Sequence, residues 1–299
     1  MKLALDPYML RTTPLTELPG VVADLGYEWI ELSPRADFTP FFLHPRANRD
    51  TVRRFKAELD AAGVRVASHL PLYRWSGPDE DERQAAVRYW KRAIQLTVEL
   101  DCRVMNSEFN GRPEQASRSE AQFWRSMEEL LPVFEREGVQ LRLEPHPDDF
   151  VEDGRVAVDM VRGIDSDLVS FLYCAPHTFH QSERPGGDIA GIMRYAGDLL
   201  TQVHVADSFD FRASSGLRYI VNPPGSPARI HQHLDIGQGE VDWDEFFGTL
   251  GKINFGREET PSGPEPIMTA CVFAWEERAD DSSRFMLEQM RSHTAKWVD

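Results

Sequence analysis

Positive charge is scarce in this chain of 299 residues: 33 lysines and arginines stand against 49 aspartates and glutamates, a net charge of -16. Such a surface repels phosphate backbones and anionic lipid, and no Lys/Arg-rich run offers a local basic groove, so neither nucleic acid nor a membrane is an expected partner. Cysteine is almost as scarce. Cys102, Cys174 and Cys271 are odd in number and unclustered, which excludes a disulfide framework and points to reduced thiols in the cytoplasm. No window approaches the roughly 18 consecutive apolar residues of a membrane span. The opening MKLALDPYML has no charged-then-apolar profile with a small-residue cleavage site, so no secretion signal is expected. A glycine-rich phosphate turn is missing after the first apolar strand, where the chain reads ALDPYMLRTTP. That weighs against a doubly wound nucleotide-binding sheet.

What is present is alternation. Apolar strands are predicted at 2–6, 28–33, 65–70, 103–109, 140–146, 169–174, 200–207 and 266–275. Helix-period segments lie between them at 16–25, 50–62, about 82–100, 118–137, 155–164, 188–196, 242–250 and 280–296. The clearest carries Ala86, Tyr89, Trp90, Ala93, Ile94 and Thr97 on one stripe. Asp50 reads as an N-cap, and Gly26, Gly63 and Gly138 read as helix stops. Eight strand–helix units predict a single (β/α)8 TIM barrel spanning residues 1–299, with parallel strands and crossover helices. The long connection at about 208–241, after strand seven, is a candidate functional loop.

Active sites of such barrels lie at the C-terminal strand ends. The polar residues there are Asp6, Glu31, His69, Asn106, Glu108, Glu144, His146, His177, His180, His204, Asp207, Glu276 and Glu277. Carboxylates and imidazoles from several strands form a hard-to-borderline ligand set, suited to Mn2+ or to Co2+, Zn2+ or Mg2+. A cation would also relieve the repulsion among so many acids at one mouth. In LRLEPHPDDF, Glu144 and His146 are two residues apart on one strand and face the same way, away from Leu141 and Leu143. Plainer readings stay open. Glu144 could pair with Arg142, His146 could cap the following turn, and either His177 or His180 could be a loop residue. His204 suits a buried structural histidine as well as a ligand. Glu276 and Glu277 are adjacent and face opposite ways, so at most one is a ligand.

The segments LRLEPHPDD, PHTFH, VHVAD and VFAWEE occur in the order and spacing of the xylose-isomerase-like TIM barrels, which include sugar isomerases and epimerases. IGQGEVDWDEF resembles that family's Gly-x-Gly-x-x-Asp-Trp segment. Within the group the chain is most similar to the inositol-catabolism branch and to the catalytic α subunits of bacterial C-glycoside deglycosidases. The resemblance implies metal ligands at Glu144, His177, His204 and Glu276, with His177 standing where the family carries aspartate. It implies a substrate-facing His180, a manganese ion, and a small β subunit as partner in a heteromer.

The expected chemistry follows from these groups. A carbon–carbon glycosidic bond has no bridging oxygen to protonate. Prior oxidation at the sugar C3 makes the C2 hydrogen acidic, and a neutral imidazole suits its removal. His146 is the expected base, His180 a second catalytic residue, and His69, Asn106, Glu108 and Asp207 are expected to contact substrate. The outcome is elimination of the aglycone, a lyase reaction. The alternative is isomerisation or epimerisation of a keto-sugar or inosose through the same enediolate. A non-catalytic sugar-binding subunit is the third reading. The aromatics of PFFLH (40–44), Tyr73, Trp75, Phe179, Phe209 and Phe211 could stack a flat aglycone, or pack the loops.

Overall fold

A computed structural model describes residues 1–178, 187–209, 232–253, 255 and 265–297. Eight parallel strands close into a barrel in sequence order: β1 (Lys2–Leu5), β2 (Trp29–Leu32), β3 (Arg65–His69), β4 (Val104–Glu108), β5 (Gln140–Glu144), β6 (Val169–Cys174), β7 (Leu200–Val205) and β8 (Ile267–Ala270). β8 pairs back onto β1 along all four residues, Lys2 opposite Ile267 through Leu5 opposite Ala270. The helices are α1 (Leu18–Asp24), α2 (Arg49–Ala62), α3 (Glu80–Glu99), α4 (Ala116–Glu137), α5 (Gly154–Ile164), the one-turn α6 (Ala175–Thr178), α7 (Ile189–Ala196), α8 (Trp243–Lys252) and α9 (Ala279–Ala295). The chain is therefore the expected (β/α)8 barrel. Among the described residues no helix is long and apolar enough to cross a membrane.

Local chemistry sets the element ends. The Asp79 side chain accepts from Glu82 N and opens α3, whose first turn carries Glu80, Asp81 and Glu82 against the helix dipole. Its stripe buries Ala86, Trp90, Ala93, Ile94 and Thr97 against the barrel, with Tyr89 half-buried at the edge. Gly63 and Gly138 end α2 and α4 at φ of 69° and 62°, where a side chain would be strained. The expected cap at Asp50 is corrected: Asn48 takes that role, accepting from Thr51 N, and Asp50 sits in the first turn. Asn48 has the extended backbone a cap needs, whereas Asp50 is already helical.

Two cores result. Between strands and helices lie rings such as Trp75 stacked on Trp90, with centroids 4.5 Å apart, and Phe123 edge-on to Trp75. Tyr73 and Trp75 belong to this packing, at 1% and 0% exposure, so they are not rings of the mouth. Inside the barrel a polar column replaces the usual apolar layers: Glu31, Ser68, Asn106, Arg142, Gln202 and Thr269 are all buried.

Most of the long connection after β7, residues 210–231, lies outside the described residues; its two ends are tied together. Asp207 and Leu234 exchange backbone hydrogen bonds of 2.8 Å. The Asp207 carboxylate accepts from Ser208 N, Val241 N, Gly237 N and Trp243 Nε1. This accounts for the Gly-x-Gly-x-x-Asp-Trp segment. Gly237 has φ 84°, a Cβ on Gly239 would collide with Asp207 and the Ser208 backbone, and Asp242 caps α8 by accepting from Glu245 N. Asp207 thus spends its oxygens on the loop, not on the mouth.

Candidate metal centre at the barrel mouth

Glu144 ends β5 at 2% exposure, and its Oε2 is buried with no hydrogen bond. An orphaned carboxylate oxygen in an apolar shell is costly unless something charged meets it. Two imidazole nitrogens approach: His177 Nδ1 at 3.2 Å, from α6 after β6, and His204 Nδ1 at 3.4 Å, from β7. His177 Nδ1 also lies 3.1 Å from the Pro145 carbonyl, to which it donates. Its Nε2 then faces His233 Nε2 at 3.2 Å, while His233 Nδ1 donates to the Cys271 carbonyl at 2.7 Å. Cys174 Sγ is 4.0 Å from His233 Nε2. Among the described residues, Glu144, Cys174 and His204 converge as one group of potential ligands, and Cys174, His177 and His233 as a second sharing the same sulfur. The orphaned oxygen and this donor set fit a divalent cation.

Electrostatics sharpen the picture. Burial opposes charge on His204, yet Glu31 and Glu144 hold its pKa well above the ordinary imidazole value. Burial pushes His233 down to about 3 and His177 well below its usual value. The Cys174 thiol is pushed up to about 12 by burial, so without a cation it stays protonated. Asp6 is raised to about 7, first by burial and then by Glu31. Burial also raises Glu108 and Asp149, and each carboxylate is further opposed by a neighbouring one.

His146, two residues past β5, donates from Nδ1 to the Pro147 carbonyl at 2.7 Å, which makes Nε2 its proton-accepting nitrogen. That nitrogen faces Glu108 Oε1 at 3.5 Å. Glu144 and His146 line one cavity together, as the strand alternation predicts. Its volume is about 180 Å³, and its other walls include Asp6, Tyr8, Phe41, Glu108, His177, His204, His233 and Phe273. A row of rings runs along it: His146 to His177 at 4.6 Å, His177 to His233 at 5.2 Å, His233 stacked on Phe273 at 4.4 Å, and Phe273 to Tyr8 at 4.7 Å.

Of the expected site residues, the structure brings together Glu144, His146, His177, His204 and Glu108. Glu276 stands apart. It lies in a short 3-10 turn beyond β8, 41% exposed, and pairs with Arg11. His69 is buried with both nitrogens used: Thr97 Oγ1 donates to Ala93 O and so accepts from Nδ1–H at 2.8 Å, leaving Nε2 to accept from Thr39 at 3.1 Å. Asn106 reaches Glu31 inside the barrel rather than the cavity. His180 lies outside the described residues, as do Phe179 and Phe211. His233 and Cys174 are additions. His233 arrives from the long loop, held by Phe273 N donating to its carbonyl at 3.0 Å, and nothing local in HQHLD marks it.

The family model described as a xylose isomerase-like TIM barrel matches residues 20–289, and the chain belongs to that family. No curated protein matches it. Among solved structures it is similar to a D-psicose 3-epimerase with D-tagatose from Clostridium cellulolyticum H10, at 18% identity and TM-score 0.70 over 98% of this chain and 99% of that one. The 3-keto-D-glucoside 4-epimerase YcjR of E. coli is similar at 17% identity and TM-score 0.70, with coverage of 98% and 99%. The IolI protein with a bound zinc atom shares 15% identity at TM-score 0.71, covering 99% of each chain. At these identities the likeness is one of fold.

Proposed function

We propose that this protein is a divalent-metal-dependent enzyme that removes the proton beside the carbonyl of an oxidised sugar, and thereby cleaves the carbon–carbon bond of a 3-keto C-glycoside. The observation that carries this reading is Glu144 Oε2, a buried carboxylate oxygen without a hydrogen bond, set between His177 and His204 and sharing a cavity with His146. Glu144 and His204 would hold the ion from one side and His177 and His233 from the other, with Cys174 common to both groups, while Glu276 is retained by Arg11. Mn2+ is the first choice and Co2+, Zn2+ or Mg2+ the alternatives. Bound there, the cation would supply Lewis acidity to neighbouring sugar oxygens.

The residues themselves handle the proton. His146 Nε2 takes the C2 proton, its ring fixed by the Pro147 carbonyl and flanked by Glu108. The electron pair of the broken C2–H bond forms the C2=C3 enolate. Return of the ketone makes the C1=C2 double bond and expels the aglycone carbon, which takes up a proton. Asp6, with its pKa raised to about 7, lines the cavity and accepts from Tyr8 N at the Tyr8–Phe273 end of the ring row, where a flat aglycone would lie, and would serve as the acid. His180 remains a candidate for orienting substrate, and a small β subunit a candidate partner, testable by co-purification from the native host.

The same His146 and Asp6 also favour a second reading, since two proton-transfer groups in one cavity serve isomerisation or epimerisation of a keto-sugar equally well. Incubation with a 3-keto C-glucoside and a 3-keto-inosose in parallel separates the two. Aglycone release is expected; isomerised product alone transfers the function to the second reading. Elemental analysis of the purified protein accompanies the assay, and absence of metal together with absence of turnover overturns both.

A further inference from the structure

We propose that Glu31 is a positioning residue for His204, and that it makes His204 bind the cation through Nδ1 rather than Nε2. The inference rests on the metal-binding reading above and adds a residue to it.

Glu31 belongs to β2, is fully buried, and lies behind the cavity wall without lining it. Its Oε2 accepts from Ser68 Oγ at 2.7 Å, Gln202 Nε2 at 2.5 Å, Asn106 Nδ2 at 3.3 Å and Thr269 Oγ1 at 3.3 Å. These donors come from β3, β7, β4 and β8, so the barrel grips one oxygen from several sides. Gln202 is itself oriented: Arg142 Nη1 donates to its Oε1 at 3.3 Å and to the Thr201 carbonyl at 3.0 Å, which turns the amide nitrogen toward Glu31. With Oε2 anchored, the carboxylate cannot rotate, and Oε1 is held 2.9 Å from His204 Nε2. The contact is off the line of the N–H, an ion pair rather than a well-aligned hydrogen bond, and Oε1 has no other partner.

Of the two carboxylates facing this ring Glu31 is the nearer, 2.9 Å from Nε2 against 3.4 Å from Glu144 to Nδ1, so Nε2 is the nitrogen that would keep its proton when a cation takes the other. The lone pair offered to the cation would then be that of Nδ1, the nitrogen 3.4 Å from Glu144 Oε2, once its proton is given up. Outer carboxylates of this kind fix the tautomer and ring angle of a ligating histidine, and their loss costs about 10–100-fold in metal affinity. The chain Arg142, Gln202, Glu31, His204 would link the floor of the barrel to the ion at its mouth.

The test uses the full-length protein and Mn2+ followed by EPR titration. Glu31→Gln, nearly isosteric, is expected to bind Mn2+ about 10–100-fold more weakly than the parent while the metal-free melting temperature shows the fold intact. Should Glu31→Gln not fold, Ser68→Ala, which loosens the anchored oxygen, is expected to weaken binding severalfold. In parallel, protein labelled with 15N-histidine is loaded with Zn2+, and the His204 signals are assigned by their loss in His204→Gln. Protonated Nε2 and coordinated Nδ1 are expected. Unchanged Mn2+ affinity in a folded variant, or coordination through Nε2, overturns the inference while leaving the metal site standing. A parent that binds neither ion overturns the metal-binding reading itself.

Discussion

His69 closes β3 and His204 stands near the end of β7, both wholly buried strand-end histidines in the same barrel. Their surroundings divide them. His69 meets two hydroxyls, each nitrogen is satisfied by a neutral partner, and burial drives its pKa down to about 3. His204 lies between the carboxylates of Glu31 and Glu144, which push its pKa up against the same burial. The β3 wall is a finished hydrogen-bond network. The wall of β5, β6 and β7 is unfinished, with Glu144 Oε2 lacking any hydrogen bond. Between these two histidines the charge of the neighbours, not the place on the strand, makes the difference; His233, also driven down to about 3, departs from His69 in that its Nε2 faces another imidazole instead of a hydroxyl.

The largest effect that would break this contrast comes from Glu144→Gln. It removes the carboxylate charge that His177 and His204 face, and with it the reason for a cation. Divalent binding, read by equilibrium dialysis, is expected to fall by more than about 100-fold and turnover to vanish with it. Retention of both would make the two walls equivalent.

His146→Ala separates chemistry from metal binding on the unfinished wall. Loss of a general base costs about 10²–10⁴-fold in kcat, and the ion should still bind because His146 is not in the proposed ligand set. Undiminished turnover in the metal-loaded variant would dispose of His146 as the base.

The sequence makes the facing of the site residues legible but not this contrast, since it puts His69 at the mouth with the substrate residues and leaves His204 open, and the reasons differ by residue. Period-2 alternation through Glu144 and His146 fixes a common facing that survives even though β5 itself stops at Glu144. The strand–helix alternation likewise determines the closed barrel. Resemblance puts Glu276 among the ligands, but β8 ends at Ala270 and the chain has left the barrel by the turn at Glu276. His233 reaches the site by a long-range return of the loop, which no local period encodes. Tyr73 and Trp75 follow a strand end, yet Trp90 and Phe123 supply an apolar face that captures Trp75. Glu31 is visible as a strand-end acid; its grip on His204 needs three dimensions.

The smallest effect expected is on the finished wall. His69→Gln should leave Mn2+ affinity and turnover unchanged and cost about 1–2 kcal/mol of stability near neutral pH, since the hydroxyls of Thr39 and Thr97 lose partners of the right shape. The pH dependence identifies the cause. The folded pKa of His69 is about 3, below the roughly 6.5 of an unfolded histidine. Below pH 6.5 the unfolded chain therefore binds a proton there that the native protein refuses, and native stability falls as pH drops toward 3. At pH 5 that linkage costs the parent about 2 kcal/mol, a loss the glutamine variant does not suffer. Urea unfolding of the two proteins should show the parent ahead at pH 7.5 and the gap closed or reversed at pH 5. A gap that stays constant would mean that His69 takes up its proton as readily in the fold as in the unfolded chain, and a gap that widens at pH 5 would make the β3 wall resemble the β7 wall after all.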